Sequence, residues 1–152
     1  MGHRNTVHLD FHSTFDMLDF VQVVSDHLGR LSGLDEEAIH WVGVAVRESV
    51  INAIKHGNAN DERKRVHVAF TPLDADPSQG LRIRVRDEGP GFDPSSLPDP
   101  LAPENLLKAS GRGIFLIRTF MDEMVLQRAP EGGMEVVMVK RGTKDAGCDC
   151  SL

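Results

Sequence analysis

The sequence predicts an α+β fold in which helices cover one face of a mixed, mostly antiparallel sheet. Two observations support this prediction. Apolar residues recur every three or four positions in three segments, as on amphipathic helices, and they alternate in segments joined by polar or glycine-rich turns, as in β-hairpins. The alternating segments have a polar second face, so one side of the sheet is expected to lie under the helices.

The N-terminal third is predicted to form a short strand followed by two helices. Residues 6–11 alternate weakly, and Ser13 is a candidate N-cap for a helix that extends to about Leu31. Asp35 is the candidate cap of the second helix, which ends at Gly57, a residue suited to the left-handed turn after a helix. The second helix is apolar over most of its surface, which predicts that most of it is buried.

Two hairpins are predicted to form most of the sheet. Residues 66–70 and 81–85 alternate on either side of a polar turn, and residues 124–127 and 134–139 flank a Gly-Gly turn. The outward face of the first hairpin carries histidine and arginine side chains. We therefore expect that face to be exposed to solvent or used by a partner.

A proline-rich segment separates the two hairpins. Residues 94–110 contain four prolines and little apolar periodicity, so they are predicted to form a long surface loop. The stretch SGRGIFLIRTFMDEM that follows is typical of a glycine turn that enters a helix, with Ile114 and Ile117 facing inward.

Length and composition are those of one globular domain. The chain has 152 residues, of which 40% are hydrophobic and 26% charged, enough to bury a sizeable core. Residues 1–142 are predicted to form the domain, and residues 143–152, with both cysteines, a flexible tail. The net charge of -6 argues against general binding to nucleic acid or anionic membrane, and no apolar run is long enough to span a membrane. A cytoplasmic location is expected.

The second helix carries polar residues that its burial does not explain. In the stretch RESVINAIKHGN, Glu48, Asn52 and Lys55 fall on one side of an α-helix. Burying such groups without partners is costly. They are therefore expected either to satisfy one another or to face a polar ligand.

Two glycine pairs flank the proline-rich loop. Gly89 and Gly91 follow a strand that ends in Asp87, while Gly111 and Gly113 lie at the entrance of the third helix. Glycine permits close backbone approach, and a helix N-terminus offers free amides and a positive dipole end, which suits phosphate. Neither the P-loop nor the dinucleotide-binding fingerprint is present.

The stretches ESVINAIKHGN, RDEGPGFDP and PENLLKASGRGIFLIRTFMDEM occur in this order along the chain. Together they resemble the GHKL ATP-binding superfamily, and most closely its anti-sigma-factor serine/threonine kinase branch. The preceding helix and the final hairpin also match in order, so the resemblance covers nearly the whole chain. It implies the two-layer α/β sandwich of GHKL ATPases, with residues 94–110 as the lid over ATP.

The resemblance implies roles for individual residues. Asn52 resembles the family's Mg²⁺ ligand, Glu48 the general base that accepts a proton from the attacking hydroxyl, and Asp87 the carboxylate that binds the adenine amino group. The other residues implied in nucleotide binding lie around the base or the phosphates: Lys55, Gly89, Gly91, Gly111, Arg112, Gly113 and Ile114. One departure is Met134, which stands where the family commonly has a threonine near the adenine and its aspartate.

Two functions from different classes are compatible with these residues. The first is a Mg-ATP-dependent protein serine/threonine kinase that phosphorylates a STAS-type anti-sigma-factor antagonist, with a sigma factor and a second copy of the chain as further partners. The second is an ATP-gated protein-binding switch without productive phosphoryl transfer. Glu48 favours the kinase, and Met134 favours the switch. A complete histidine kinase is not expected, because too few residues precede Glu48 for a phospho-acceptor helix and a dimerisation bundle.

Overall fold

The computed structural model describes residues 5–73, 79–91 and 109–142, and the side chains of residues 109–114 lie outside the described part. In sequence order, the helices and strands are β1 (Val7–His12), α1 (Leu18–Leu31), α2 (Glu36–Asn52), β2 (Arg65–Leu73), β3 (Gly80–Arg86), α3 (Ala109–Phe120), β4 (Glu123–Arg128) and β5 (Met134–Arg141). The strands form a five-stranded sheet in the order β1-β2-β3-β5-β4. All of its pairings are antiparallel, and the predicted α+β class is confirmed.

Both predicted hairpins are confirmed, and their inward residues form the sheet side of the core. In the first, Val68 lies opposite Val85 and Phe70 opposite Ile83, with all four side chains buried. Strand β5 then inserts between β3 and β4, where Met138 lies opposite Ile83. Because side chains alternate across a strand, the arginines and histidines of β2 and β3 lie on the other face, which no helix of the described residues covers.

The helices cover the apolar face of the sheet, with α2 at the centre of the layer. Its side chains Val42, Val46 and Val50 are almost completely buried, and α2 packs against both α1 and α3. The aromatic rings of Trp41 on α2 and Phe120 at the end of α3 stack with their centroids 3.6 Å apart. None of the helices in the described ranges has the length and apolar character needed to cross a membrane.

The two predicted helix caps have different outcomes. The Asp35 cap is confirmed, because its carboxylate accepts a hydrogen bond of 2.8 Å from Ala38 N. The Ser13 cap is wrong: a 3₁₀ turn precedes α1, which begins at Leu18. The Ser13 hydroxyl instead donates to the carbonyl of Lys64 at 2.8 Å, so it joins the end of β1 to the start of β2.

The end of the second helix is correct in position but not in geometry. Residues Ala53–Gly57 form a π-helical turn, in which Asn58 N donates to the carbonyl of Ala53 at 2.8 Å. The left-handed conformation expected at Gly57 occurs instead at Ala59 and Asn60, with φ of 52° and 59°. The reason for a glycine at position 57 is therefore not the turn itself.

The glycine turn predicted before the third helix lies inside it. Helix α3 begins at Ala109, so Gly111, Arg112 and Gly113 belong to its first turns. The first four N–H groups of a helix lack intrahelical acceptors, and here they belong to residues 109–112. Free amides are therefore retained at Gly111 and Arg112, whereas the Gly113 amide lies where it donates within the helix. Ile117 is buried as predicted. Residues 94–108 of the expected lid and the tail, 143–152, lie outside the described residues.

Substitution of Phe70 tests whether the sheet and the helices share one hydrophobic core. Its side chain is fully buried. We expect Phe70→Ala to lower the free energy of unfolding by about 3–5 kcal/mol, because it removes apolar contacts and leaves a cavity. Urea unfolding measures the loss. Val23→Ala on the exposed side of α1 is the control and is expected to change the free energy by less than about 0.5 kcal/mol. Similar losses in the two variants would contradict the assigned core.

Candidate functional site

The candidate site lies where the end of α2 meets the loop after β3. Glu48 and Asn52 stand one turn apart on α2, and both are half-buried. Within the described residues, neither side chain makes a hydrogen bond or an ion pair. The two groups therefore do not satisfy one another among the described residues, and their predicted roles toward a polar ligand stay predictions.

Asp87 is a buried carboxylate whose orientation is set by the backbone. Its Oδ1 accepts hydrogen bonds from Gly89 N at 2.9 Å and from Met134 N at 3.1 Å, and its own amide donates to the carbonyl of Met134 at 3.0 Å. Among the described residues, no hydrogen bond reaches Oδ2. One carboxylate oxygen is thus held in place, while the other retains its capacity to accept a hydrogen bond.

Three glycines, each from a different segment of the chain, surround Asp87. A β-carbon at Gly57 would lie closer than 3.0 Å to Asp87 Oδ2, and one at Gly133 would lie as close to the Asp87 carbonyl oxygen. At Gly89 a β-carbon would collide with the Gly57 carbonyl. The π-helical turn, the loop after β3 and the β4–β5 turn therefore approach one another at distances that only glycine permits. This close packing explains the glycine at position 57.

Gly91 and Met134 complete the described surroundings of Asp87. Gly91 has a φ of +76°, a left-handed conformation that favours glycine. A β-carbon there would contact Arg128 and the Met134 sulfur. Met134 is buried and pairs with Asp87 through its backbone, so the structure places it beside the aspartate, as the resemblance implies.

For the other predicted nucleotide-binding residues, the structure shows a position in the fold but no contact with Asp87 among the described residues. Lys55 is exposed on the π-helical turn, whose geometry departs from the α-helix assumed for the polar stripe. Gly111, Arg112, Gly113 and Ile114 are described by their backbone alone, in the first turns of α3, and α3 packs against α2. Their roles stay predictions, as do those of Asp87 and Gly89, although the structure brings these two residues into direct contact with Gly57.

Asn58 is a residue of this region that the sequence did not reveal. Its side chain is fully buried, although it lies in what was predicted to be a polar turn. Its Nδ2 donates to Ser13 Oγ at 2.8 Å and to the Arg65 carbonyl at 3.0 Å, while its Oδ1 accepts from Glu88 N at 2.7 Å. A polar residue between Gly57 and other polar residues carries no local signal of such burial.

Glu88, next to Asp87, is anchored on the opposite side of the loop. Its Oε1 accepts from Arg65 N at 2.9 Å, and its Oε2 lies 2.7 Å from His67 Nε2. The hydrogen bond from the Arg65 amide, followed by the His67 contact, lowers the pKa of the Glu88 carboxyl below its ordinary value. His67 also contacts Asp10 through Nδ1 at 2.8 Å. The loop is thereby attached to β2 through both backbone and side-chain groups.

A metal ion bound at this site would have one protein ligand rather than several. In residues 5–73, 79–91 and 109–142, no three side chains of the histidine, cysteine, aspartate or glutamate type form a group that could hold a metal ion. Mg²⁺ does not need such a group when substrate phosphates and water supply most of its oxygen ligands. The half-buried amide of Asn52 has the oxygen that such a site requires.

A layer of helices on an antiparallel sheet, with Asp87 against the end of the helix that carries Glu48 and Asn52, is the arrangement of a histidine kinase-like ATPase domain. The family model described as "Histidine kinase-like ATPase domain" matches residues 16–140. The chain belongs to this family.

Three similar proteins define the branch of the family more closely. The serine-protein kinase RsbW of Listeria monocytogenes serovar 1/2a is 31% identical over 127 residues, which cover 74% of this chain and 77% of the relative. The anti-sigma F factor of Oceanobacillus iheyensis is 32% identical over 146 residues, 93% of this chain and 95% of the relative. The serine-protein kinase RsbW of Staphylococcus epidermidis is 32% identical over 116 residues, 72% and 69% of the two chains. The predicted relationship to the anti-sigma-factor kinase branch is confirmed.

Substitution of Gly57 tests the close packing of the backbone around Asp87. We expect Gly57→Ala to lower the free energy of unfolding by about 1–3 kcal/mol, because the new methyl group overlaps the carboxylate. Gly43→Ala is the matched control on α2, since its nearest neighbour is the end of the flexible Gln22 side chain. It should be neutral or stabilising by up to about 1 kcal/mol through helix propensity. Urea unfolding compares the two, and equal losses would contradict the packing.

Proposed function

We propose that this chain is a Mg-ATP-dependent protein serine/threonine kinase that acts as an anti-sigma regulatory factor. The observation that carries this proposal is the buried Asp87 carboxylate, oriented by backbone amides against the end of the helix that presents Glu48 and Asn52. The similar proteins support it, because their names describe serine-protein kinases and an anti-sigma factor.

Adenine recognition is assigned to Asp87. Its Oδ2 would accept a hydrogen bond from the adenine amino group, while Oδ1 stays bound to the Gly89 and Met134 amides. Guanine presents a carbonyl at the corresponding position, which would meet the carboxylate as a second acceptor and be disfavoured. The absence of side chains at Gly89 and Gly91 would let the loop pass close to the base.

The phosphates and the metal are assigned to α2 and α3. The Asn52 amide oxygen would hold Mg²⁺ against the triphosphate, and the bound ion would neutralise part of the phosphate charge. Lys55 would add a positive charge near the phosphates. The free backbone amides of Gly111 and Arg112 would donate to the phosphates, and Gly113 and Ile114 would lie beside them at the positive dipole end of α3.

Phosphoryl transfer is assigned to Glu48. Its carboxylate would accept the proton of a serine or threonine hydroxyl on the protein substrate while that oxygen attacks the γ-phosphorus and ADP leaves. Most of the rate enhancement would come from positioning and charge stabilisation, as in other phosphoryl transfers. Glu48 has the freedom to do this, because no described side chain occupies its carboxylate.

The proposed partners follow from the same branch of the family. The substrate would be a STAS-type anti-sigma-factor antagonist, and the chain would also sequester a sigma factor and form a homodimer. The name of the Oceanobacillus iheyensis relative supports the anti-sigma part. We place the protein in the cytoplasm, where ATP and sigma factors are present.

An ATP-gated binding switch is the second candidate, and Met134 favours it. Met134 is buried beside Asp87, at the position where a threonine hydroxyl is common in the family. A thioether is a weaker hydrogen-bond acceptor and has no donor, so the adenine would lose one polar neighbour. The switch retains nucleotide-dependent partner binding and lacks phosphoryl transfer, which separates the two candidates experimentally.

Incubation with labelled ATP and STAS-domain proteins encoded nearby tests the kinase proposal. We expect the wild-type chain to transfer label to a serine or threonine, and Glu48→Gln to reduce the rate by about 10²–10⁴-fold while nucleotide binding persists. Glu37→Gln, exposed on the first turn of the same helix, is the control and should keep full activity. Unchanged transfer in Glu48→Gln would exclude the general-base role, and ATP-dependent partner binding without any transfer would favour the switch.

Asn52→Ala tests the metal assignment. We expect this variant to bind ATP about tenfold more weakly or worse in Mg²⁺, equal to about 1.4 kcal/mol, because one metal ligand is lost. In EDTA, wild type and variant should bind ATP with similar affinity. Isothermal titration calorimetry in the two conditions gives the comparison. A wild-type affinity that does not depend on Mg²⁺ would contradict the role of Asn52.

A further inference from the structure

Asn58 links two of the segments that enclose Asp87: the π-helical turn and the loop after β3. Its backbone N–H closes the π-helical turn by donating to the carbonyl of Ala53, which sets the position of Gly57 against the carboxylate. Its side-chain Oδ1 accepts from Glu88 N, the amide that directly follows Asp87. A single residue thus holds the chain on both sides of the proposed adenine-binding group.

The hydrogen bonds of Asn58 require an amide. The Arg65 carbonyl is only an acceptor and Glu88 N is only a donor, so one orientation of the Asn58 side chain satisfies both. The second Nδ2 hydrogen goes to Ser13 Oγ, whose own hydrogen goes to the carbonyl of Lys64. The network is complete, and neither an aspartate nor an aliphatic side chain reproduces it.

The hydrogen bond from Glu88 N to Asn58 Oδ1 fixes the peptide group that joins Asp87 to Glu88. Because a peptide unit is planar, fixing Glu88 N–H also fixes the direction of the Asp87 carbonyl, which packs against Gly133. The Glu88 side chain adds a second attachment, to strand β2, because its Oε1 accepts a hydrogen bond from Arg65 N. Asn58 is therefore coupled to the orientation of the Asp87 carboxylate through covalent geometry, and it does not touch the base itself.

We infer that Asn58 is a positioning residue for base selection: it sets the orientation in which Asp87 accepts the adenine amino group. This inference rests on the proposed role of Asp87. It concerns the base and not the triphosphate, because Asn58 has no described contact with Glu48 or Asn52. Its removal should therefore weaken the selection of adenine more than the binding of phosphate.

Competition binding of ATP, GTP and inorganic triphosphate in Mg²⁺ tests the inference. For Asn58→Ala we expect ATP affinity to fall about tenfold and the affinities for GTP and triphosphate to change less than about twofold, so that the ATP-to-GTP preference narrows. Ser13→Ala is the matched control, because it removes the far end of the network and leaves the bond to Glu88 N in place. It should lower thermal stability and keep the preference.

Asn58→Asp separates positioning from a purely structural role. It retains an acceptor for Glu88 N but loses both Nδ2 donors, so it should be less stable than wild type and yet keep more of the ATP-to-GTP preference than Asn58→Ala. If Asn58→Ala does not fold, the ATP-to-GTP preference of Asn58→Asp tests the inference in its place. An equal loss of ATP and triphosphate binding, or a lower Tm with the preference unchanged, would overturn the inference.

Asp87→Asn distinguishes a failure of this inference from a failure of the proposed function. If Asp87→Asn removes the preference for ATP and Asn58→Ala does not, the positioning role alone is wrong. If Asp87→Asn leaves the preference as strong as in wild type, the base does not bind at Asp87, and both conclusions fail.

Discussion

The carboxylate of Asp87, buried against three backbone segments, is the interaction on which the geometry of the site depends. A buried charge is costly unless it is hydrogen-bonded, and here two backbone amides supply the donors. Among the described residues, no side chain of opposite charge pairs with Asp87. Such a cation would compete with a ligand for Oδ2. Backbone donors require close approach of the chain, which explains the glycines at positions 89 and 133, and Gly57 leaves space for the carboxylate itself.

The sequence predicted the features that depend on local patterns. Alternation around Val68 and Phe70 identified the buried face of the first hairpin, because the period of a strand directly reports which side is covered. The Asp35 cap was predictable for the same reason, since its partner Ala38 is three residues away. The family and its fold followed from motifs that the comparisons confirm.

What the sequence could not predict depends on contacts between distant residues. Ser13 is a good local N-cap, but it bonds to Lys64 and Asn58, and the second of these lies 45 positions away. Gly57 matched the signal of a left-handed turn, whereas its real constraint is the side chain of Asp87. In the first case the local preference was overruled by a distant carbonyl that the Ser13 hydroxyl satisfies, and in the second by the close approach of a distant side chain.

The two halves of the proposed site are organised by different means. Around Asp87, the groups that orient the carboxylate also satisfy buried polar atoms, so the base half is preorganised by interactions that the fold needs for its own stability. Glu48 and Asn52 are positioned by the helix that carries them, and among the described residues their side-chain polar atoms make no hydrogen bond or ion pair. In the proposed function, the base would be recognised through this framework, whereas the phosphates and the metal would bind to side chains that have no described partners. Such a division would allow the protein to keep its selectivity for the base while its state responds to the phosphate.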